Sequence, residues 1–110
     1  MNGLITIADL TLDKNAYLAD PLSWDVNIAE IFAEDEQLIL TDDHWQVINY
    51  VRDFYLEFNK SPSIRPLVNY LKKQLGEEKG NSIYLMMLFP GGPAKQATRI
   101  AGLPKPARCI

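Results

Sequence analysis

The only cysteine of the chain, Cys109, stands in the C-terminal segment GLPKPARCI. Its thiolate would be the strongest nucleophile that the sequence offers. Pro104 and Pro106 restrict the backbone before it to extended geometry, so we expect a semi-stiff arm that presents the thiol outwards. Gly102 is the expected hinge of this arm. Seven extended residues beyond it span at most ~25 Å.

A single cysteine cannot form an internal disulfide, so an intramolecular redox switch is excluded. The thiol chemistry that remains is a reversible adduct with a partner, either a mixed disulfide or a persulfide. In persulfide transfer an acceptor thiolate attacks the terminal sulfur of the donor and expels the donor's thiolate. A carrier of this kind needs no acid or base of its own. A tail cysteine without any role is the alternative.

Few other side chains could carry chemistry. His44 falls in the first turn of a predicted helix, where we expect it to cap the helix or to be half-buried. One histidine and one cysteine cannot supply the four ligands of a typical structural zinc site, so we expect no metal and no cofactor. Gly91 and Gly92 lack the preceding strand and the following lysine of a phosphate loop, and they predict a turn.

The composition indicates a small globular protein. The chain has 110 residues, of which 47% are hydrophobic and 23% are charged, and this length suits one domain with one modest core. A lone cysteine fits a reducing compartment. The start of the chain does not have the pattern of a signal peptide, and its apolar runs are too short to span a bilayer. We therefore expect a cytoplasmic protein with no membrane partner.

Charge is distributed unevenly along the chain. Residues 1–59 contain 12 acidic and two basic residues, whereas residues 60–110 contain nine basic and two acidic residues. Such an asymmetry steers the C-terminal side towards acidic proteins or nucleic acid, unless folding interleaves the two halves. The candidate partner-binding cations near the thiol are Lys95, Arg99, Lys105 and Arg108. They could dock the arm on acidic proteins or nucleic acid, or could merely keep the protein in solution.

The expected fold is mainly α-helical. A small β-hairpin from LITI and LTL occupies residues 1–20, a compact bundle of about five helices follows in residues 21–101, and an extended flexible arm occupies residues 102–110 of a single domain. The first helix is expected after Pro21 with Ser23 as its cap. The second starts at Thr41, and the third starts after Ser63 and ends at Gly76. The segments NSIYLMMLF and AKQATRIA predict the last two.

The third and fourth predicted helices form a helix-turn-helix-like pair. A DNA reader would carry arginine, asparagine or glutamine on its second helix, and SIYLMMLF offers almost none. Packing within the bundle is therefore favoured over DNA binding. Because NSIYLMMLF is apolar on every side, we expect it at the centre of the bundle or in an interface.

The segments DFYLEFN, LFPGGPAKQA and IAGLPKPARCI resemble the DsrC/TusE family of sulfur-trafficking proteins. The resemblance runs from about His44 to the end of the chain, and the predicted hairpin and PLSW match more loosely. It implies a cytoplasmic helical fold with a small hairpin and a flexible C-terminal arm. It also implies that Cys109 is the residue that carries sulfur, as a cysteine persulfide.

Position 98 separates the branches of this family. DsrC proteins that serve dissimilatory sulfite reductase have a second cysteine there, in a pattern like KQACRIAG, whereas this chain has Thr98. The resemblance is therefore to the single-cysteine, TusE-like branch. It implies a sulfurtransferase that accepts sulfur from a TusBCD-like complex through its TusD subunit. The acceptor would be an MnmA-like tRNA 2-thiouridylase, which thiolates the wobble uridine. The alternative is a DsrC-like non-catalytic partner of a sulfite reductase, or a regulatory binding protein that docks through the arm.

Overall fold

The computed structural model describes residues 5–107 and is mainly helical, as predicted. Its five α-helices are α1 (Val26–Asp35), α2 (Asp42–Phe58), α3 (Ile64–Leu75), α4 (Ser82–Leu88) and α5 (Pro93–Ile100), and two short 3₁₀ helices precede them at Ile7–Asp9 and Pro21–Ser23. No helix in this part of the chain is both long and apolar enough to cross a membrane.

The predicted N-terminal β-hairpin is wrong, because residues 5–107 contain no strand. A single antiparallel bridge joins Leu12 to Leu18. Aspartate side chains bind the backbone N–H groups that a ladder would need. Asp9 accepts from the N–H of Thr6 at 2.8 Å, and Asp13 accepts from two N–H groups in the turn that follows it. The first residue of the predicted strand LITI lies outside the described range.

Local capping signals set the ends of several helices. α1 begins later than predicted, because the side chain of Asp25 accepts from the N–H of Ile28 at 2.9 Å, while Ser23 ends the preceding 3₁₀ helix. The predicted N-cap Thr41 and the predicted C-cap Gly76 are confirmed. Gly76 has φ +92°, a conformation that favours glycine.

The short basic segment near the end of the chain forms the central helix of the fold. α5 packs against all four other α-helices. Its buried residues are Pro93, Ala94, Gln96, Ala97, Thr98, Arg99 and Ile100. One hydrophobic core joins it to the buried faces of α1, α2, α3 and α4. The chain that follows therefore leaves from the middle of the protein.

α4 is buried on one side only. Leu85 is fully buried, whereas Ile83 and Met87 are each 76% exposed and Met86 is about half exposed. Of the two positions predicted for this apolar helix, the centre of the bundle is wrong, and an interface stays a prediction. Both α3 and α4 pack on α5, so the helix-turn-helix-like pair is part of the bundle.

Candidate functional site

The segment that follows α5 lies against the helical body. Leu103 and Pro106 are buried, and the N–H of Leu103 donates to the carbonyl oxygen of Thr98 at 3.1 Å. The hydroxyl of Ser61, just before α3, donates to the carbonyl oxygen of Pro104 at 2.5 Å. The first half of the predicted arm is therefore held on the body in this structure.

Gly102, the expected hinge, is a buried turn residue. Its φ is +73°, and a Cβ atom at this position would lie 2.2 Å from Cδ1 of Trp24. Both the left-handed backbone and the close approach of the indole ring require glycine here. The presence of glycine at this position is thus explained by packing. The chain after it stays against the body as far as Pro106.

Two side chains from distant elements bind the carbonyl groups at the end of α5. Nε1 of Trp24 donates to the oxygen of Ile100 at 2.8 Å, and Nη1 of Arg52 donates to the oxygen of Ala101 at 2.7 Å. The guanidinium also lies over the indole, 4.1 Å from the ring centroid, which is a cation–π arrangement. Burial lowers the pKa of Arg52 from its usual value.

Sequence reasoning missed this role of Arg52. Arg52 and Lys14 are the only basic residues among the first 59. A lone arginine in an acidic half of the chain was the signal that could have indicated a specific role for Arg52. A cation at the C-terminal end of a helix interacts favourably with the helix dipole. Arg52 therefore stabilises the point from which the cysteine-bearing segment starts.

Arg99, a predicted partner-binding cation, points into the protein and is only 9% exposed. Its Nη1 pairs with Asp35 at 2.7 Å and Glu36 at 2.6 Å, its Nε donates to the oxygen of Ala16 at 2.9 Å, and it lies over the ring of Phe32. Burial alone lowers its pKa, but the hydrogen bonds to the two carboxylates outweigh burial and raise it. Its positive charge is therefore neutralised by Asp35 and Glu36 and does not face a partner.

Thr98 is fully buried at the centre of α5. Among the described residues its hydroxyl oxygen has no hydrogen-bond partner. An unsatisfied buried hydroxyl costs free energy, so the side chain is not explained by hydrogen bonding. The position faces the interior and not the solvent.

The other predicted site residues divide into exposed ones and ones that lie outside the described range. Lys95 and Lys105 are exposed, and the backbone oxygen of Lys95 accepts from the hydroxyl of Tyr17 at 3.3 Å. Arg108 and Cys109 lie outside the described residues. Covalent geometry alone keeps the Cα of Cys109 within about 11 Å of the Cα of Pro106, three residues before it.

His44 has the capping and packing role predicted for it. Its Nδ1 accepts from the N–H of Thr41 at 3.1 Å, and its Nε2 lies 2.7 Å from the carbonyl oxygen of Leu88. Because a carbonyl oxygen can only accept, Nε2 carries the proton. Both ring nitrogens are occupied, and the ring contacts Phe89 edge-on. Within residues 5–107 no cluster of histidine, cysteine, aspartate and glutamate could hold a metal ion.

Comparison with known proteins gives consistent results from sequence and from structure. The family model described as DsrC like protein matches residues 5–110. The chain is 54% identical to sulfurtransferase TusE of Escherichia coli strain K12 over 102 residues, which cover 93% of this chain and 94% of that protein. Sulfurtransferase TusE of Photorhabdus laumondii is 53% identical, with 93% of this chain and 92% of that protein covered.

Solved structures of DsrC have the same fold. The NMR structure of DsrC from Allochromatium vinosum matches with a TM-score of 0.82 and 46% identity, and it covers 92% of this chain and 90% of that chain. The crystal structure of the oxidized gamma-subunit of the dissimilatory sulfite reductase (DsrC) from Archaeoglobus fulgidus matches with a TM-score of 0.76 and 42% identity, with 92% of each chain covered.

Proposed function

The chain belongs to the DsrC-like family, and we propose that it is a sulfurtransferase that carries sulfur as a persulfide on Cys109. The observation that carries this proposal is the position of the sole thiol. It stands three residues after Pro106, which is the last buried residue in the described part of the segment that the helical body holds. A thiol so placed can be offered to the site of another protein. The 54% identity to sulfurtransferase TusE supports the activity.

Sulfur transfer of this kind needs no external oxidant. The thiolate of Cys109 attacks the terminal sulfur of a donor persulfide, and a bond forms between the two sulfur atoms. The S–S bond of the donor breaks, and its electron pair leaves with the donor sulfur as a thiolate. In the second step the thiolate of an acceptor attacks the terminal sulfur on Cys109 and regenerates the Cys109 thiolate.

Thr98 supports a carrier over a redox switch. In the two-cysteine DsrC pattern a second thiol occupies this position and could form a disulfide with the cysteine of the arm. Here the position holds a buried hydroxyl, and the chain has no other cysteine. Cys109 therefore has no intramolecular sulfur to react with, and its adduct must be resolved by a partner.

The proposed partners follow the TusE-like branch. The donor is a TusBCD-like complex, in which TusD presents the persulfide, and the acceptor is an MnmA-like tRNA 2-thiouridylase that modifies the wobble uridine. Similarity to TusE over 93% of the chain supports this assignment. The carrier supplies only the thiol, so each partner must provide the proton transfers of its own step.

Mass spectrometry of the C-terminal peptide tests the proposal. The protein is incubated with a cysteine desulfurase, cysteine and the upstream relay proteins, and the peptide with Cys109 should gain the mass of one sulfur atom. The Cys109→Ser variant should keep its fold and gain nothing. The proposal fails if the wild-type peptide gains no mass, or if the serine variant is labelled equally.

A second candidate function is docking without sulfur transfer, as a subunit or regulator. The similarity to a DsrC described as the gamma-subunit of a sulfite reductase favours it. Under this alternative, deletion of residues 107–110 abolishes partner binding, whereas Cys109→Ser leaves both binding and tRNA thiolation in cells intact. Loss of thiolation in the serine variant with binding retained excludes it.

A further inference from the structure

The outward side of α3 is polar and positively charged. Arg65, Asn69, Lys72 and Lys73 are all exposed, and their spacing of four, seven and eight residues puts them on one side of the helix. The apolar residues Leu67 and Leu71 are buried on the opposite side. None of the large hydrophobic side chains exposed in the described part of the chain lies on α3.

The positive charges of this side form no ion pair with any of the described residues. In residues 5–107, the cations that form ion pairs are Lys79, with Asp43, and Arg99, with Asp35 and Glu36. The other cations after residue 59 in this range are exposed and make no ion pair, and they are Lys60, Arg65, Lys72, Lys73, Lys95 and Lys105. Folding therefore leaves most of the positive charge of the second half on the surface.

This side is joined to the base of the cysteine-bearing segment. The hydrogen bond from Ser61 to Pro104 holds that segment beside the start of α3. Lys60 directly precedes Ser61, and Lys105 directly follows Pro104. We call the set of Lys60, Arg65, Asn69, Lys72, Lys73 and Lys105 the cationic face.

Acidic groups border the cationic face without entering it. α3 itself has no acidic residue. Asp53 and Glu57 of α2 lie near Tyr70, whose pKa is raised first by burial and then by these two charges. Glu77 and Glu78 follow the end of α3. α1, which carries three acidic residues, packs against α5 and the N-terminal 3₁₀ helix.

We propose that the cationic face binds the phosphate backbone of RNA. Phosphate is contacted chiefly by arginine, lysine and small polar side chains, and such contacts need no apolar anchor. Protein interfaces are instead depleted in lysine and centred on aromatic or aliphatic residues. The neighbouring α4, with exposed Ile83 and Met87, has the apolar residues of a protein interface, whereas the outward side of α3 has the cationic and polar residues of a phosphate-binding surface. The choice of RNA over DNA rests on the proposed function, because the acceptor enzyme modifies tRNA.

The dimensions of the cationic face suit more than one phosphate. Arg65 and Lys73 are eight residues apart on the helix, a separation of about 12 Å along its axis. This exceeds the Debye length of about 8 Å at physiological ionic strength, so each end interacts mainly with its own phosphate. RNA bound along α3 would lie beside the segment that leads to Cys109.

Binding of RNA is measured directly with the full-length protein. The probe is a fluorescently labelled tRNA made by transcription, titrated by anisotropy at several salt concentrations. If three phosphates are neutralised, affinity falls about 20- to 40-fold between about 50 and about 200 mM salt. Labelled poly-glutamate of similar charge serves as the acidic polypeptide for comparison, and it should bind more weakly than the tRNA.

Two variants with equal net charge test the location. Lys72→Gln/Lys73→Gln removes two charges from the cationic face, and Lys14→Glu changes the net charge by the same amount at an exposed turn near the N-terminus. The double variant should bind tRNA about tenfold more weakly at low salt, with a smaller salt dependence. Lys14→Glu should bind almost as wild type. Thermal unfolding shows that both variants fold.

Cys109→Ser separates this inference from the proposed function. It should bind tRNA as wild type does but fail in sulfur transfer, and the double variant should still accept sulfur from the donor without RNA. The inference is overturned if wild type shows no salt-dependent tRNA binding, or if both charge variants lose affinity equally. Poly-glutamate binding as tight as tRNA binding, with the same sensitivity to the double variant, would assign the face to an acidic protein and also overturn it.

Discussion

The guanidinium of Arg52 lies 4.1 Å from the centroid of the Trp24 ring, and the two side chains donate to consecutive carbonyl groups at the end of α5. Trp24 comes from the segment before α1 and Arg52 from the middle of α2. Two distant parts of the chain thus meet where the cysteine-bearing segment begins. This pair fixes the direction in which that segment leaves the central helix.

Replacement of Arg52 should destabilise the protein. Arg52→Leu removes the hydrogen bond to Ala101 and the contact with Trp24, and it leaves a carbonyl group without its donor. We expect a loss of about 1–3 kcal/mol in the free energy of unfolding, measured by urea denaturation. Arg65→Leu, at an exposed position of α3, should change it by less than about 0.5 kcal/mol. Equal effects of the two variants would contradict the role given to Arg52.

Replacement of Gly102 by alanine should destabilise the protein more than the same replacement at Gly76, another glycine with positive φ. Gly102→Ala places a Cβ atom 2.2 Å from Trp24, whereas the same change at Gly76 meets no atom within 4 Å. Both have positive φ, so a side chain strains the backbone in either variant, and only Gly102→Ala adds a clash. We expect Gly102→Ala to lose at least about 1 kcal/mol more than Gly76→Ala in thermal or urea unfolding. If Gly102 were only a hinge, the two variants would behave alike.

The buried hydroxyl of Thr98 predicts a neutral or stabilising substitution. Thr98→Val keeps the shape and removes an oxygen that has no partner among the described residues, so the free energy of unfolding should stay equal or rise by up to about 1 kcal/mol. Thr41→Val, which removes the N-cap of α2, should instead lower it by about 1 kcal/mol. A clear loss of stability in Thr98→Val would show that the hydroxyl has a partner.

Arg99 should be needed for the stability of the fold and not for binding an acidic partner. Arg99→Met leaves Asp35 and Glu36 without their cation, and we expect the free energy of unfolding to fall by about 2–3 kcal/mol. The loss is smaller than for a fully buried ion pair because Asp35 is partly exposed to solvent. Arg99→Lys should recover only part of this loss, since an ammonium cannot reproduce the contacts of Nε and Nη1 together. Urea denaturation of both variants measures the effect. An unfolding free energy unchanged in Arg99→Met would contradict the structural role.

Local signals predicted much of the helical framework. Thr41 and Gly76 were predicted from residue type alone, because N-caps and left-handed C-caps depend on a few neighbouring atoms. The hairpin was predicted wrongly for a related reason. The prediction considered only the β-prone residues and not the side chain of Asp13. That side chain accepts hydrogen bonds from two backbone N–H groups and stabilises a turn in which Ala16 has φ +67°.

Contacts between distant residues could not be predicted in this way. Arg99 was expected on the surface because it is basic, but the fold brings Glu36, 63 residues earlier, to within 2.6 Å of it. The same carboxylate accepts from Gln96, which sequence reasoning did not single out. Cys109 could be singled out as the candidate reactive residue from sequence alone, because a single thiol in an unusual position is recognised without any tertiary contact.

The anchoring of the chain up to Pro106 limits which partners can react with it. The Cα of Cys109 stays within about 11 Å of the Cα of Pro106, so the cysteine can enter only a shallow cleft while the helical body rests on the rim. A partner whose reactive sulfur lies deeper must first release Pro106 from the body, and one with a still deeper site must release Pro104 and Leu103 as well. The depth of the partner's active site therefore decides whether sulfur transfer requires partial opening of this protein.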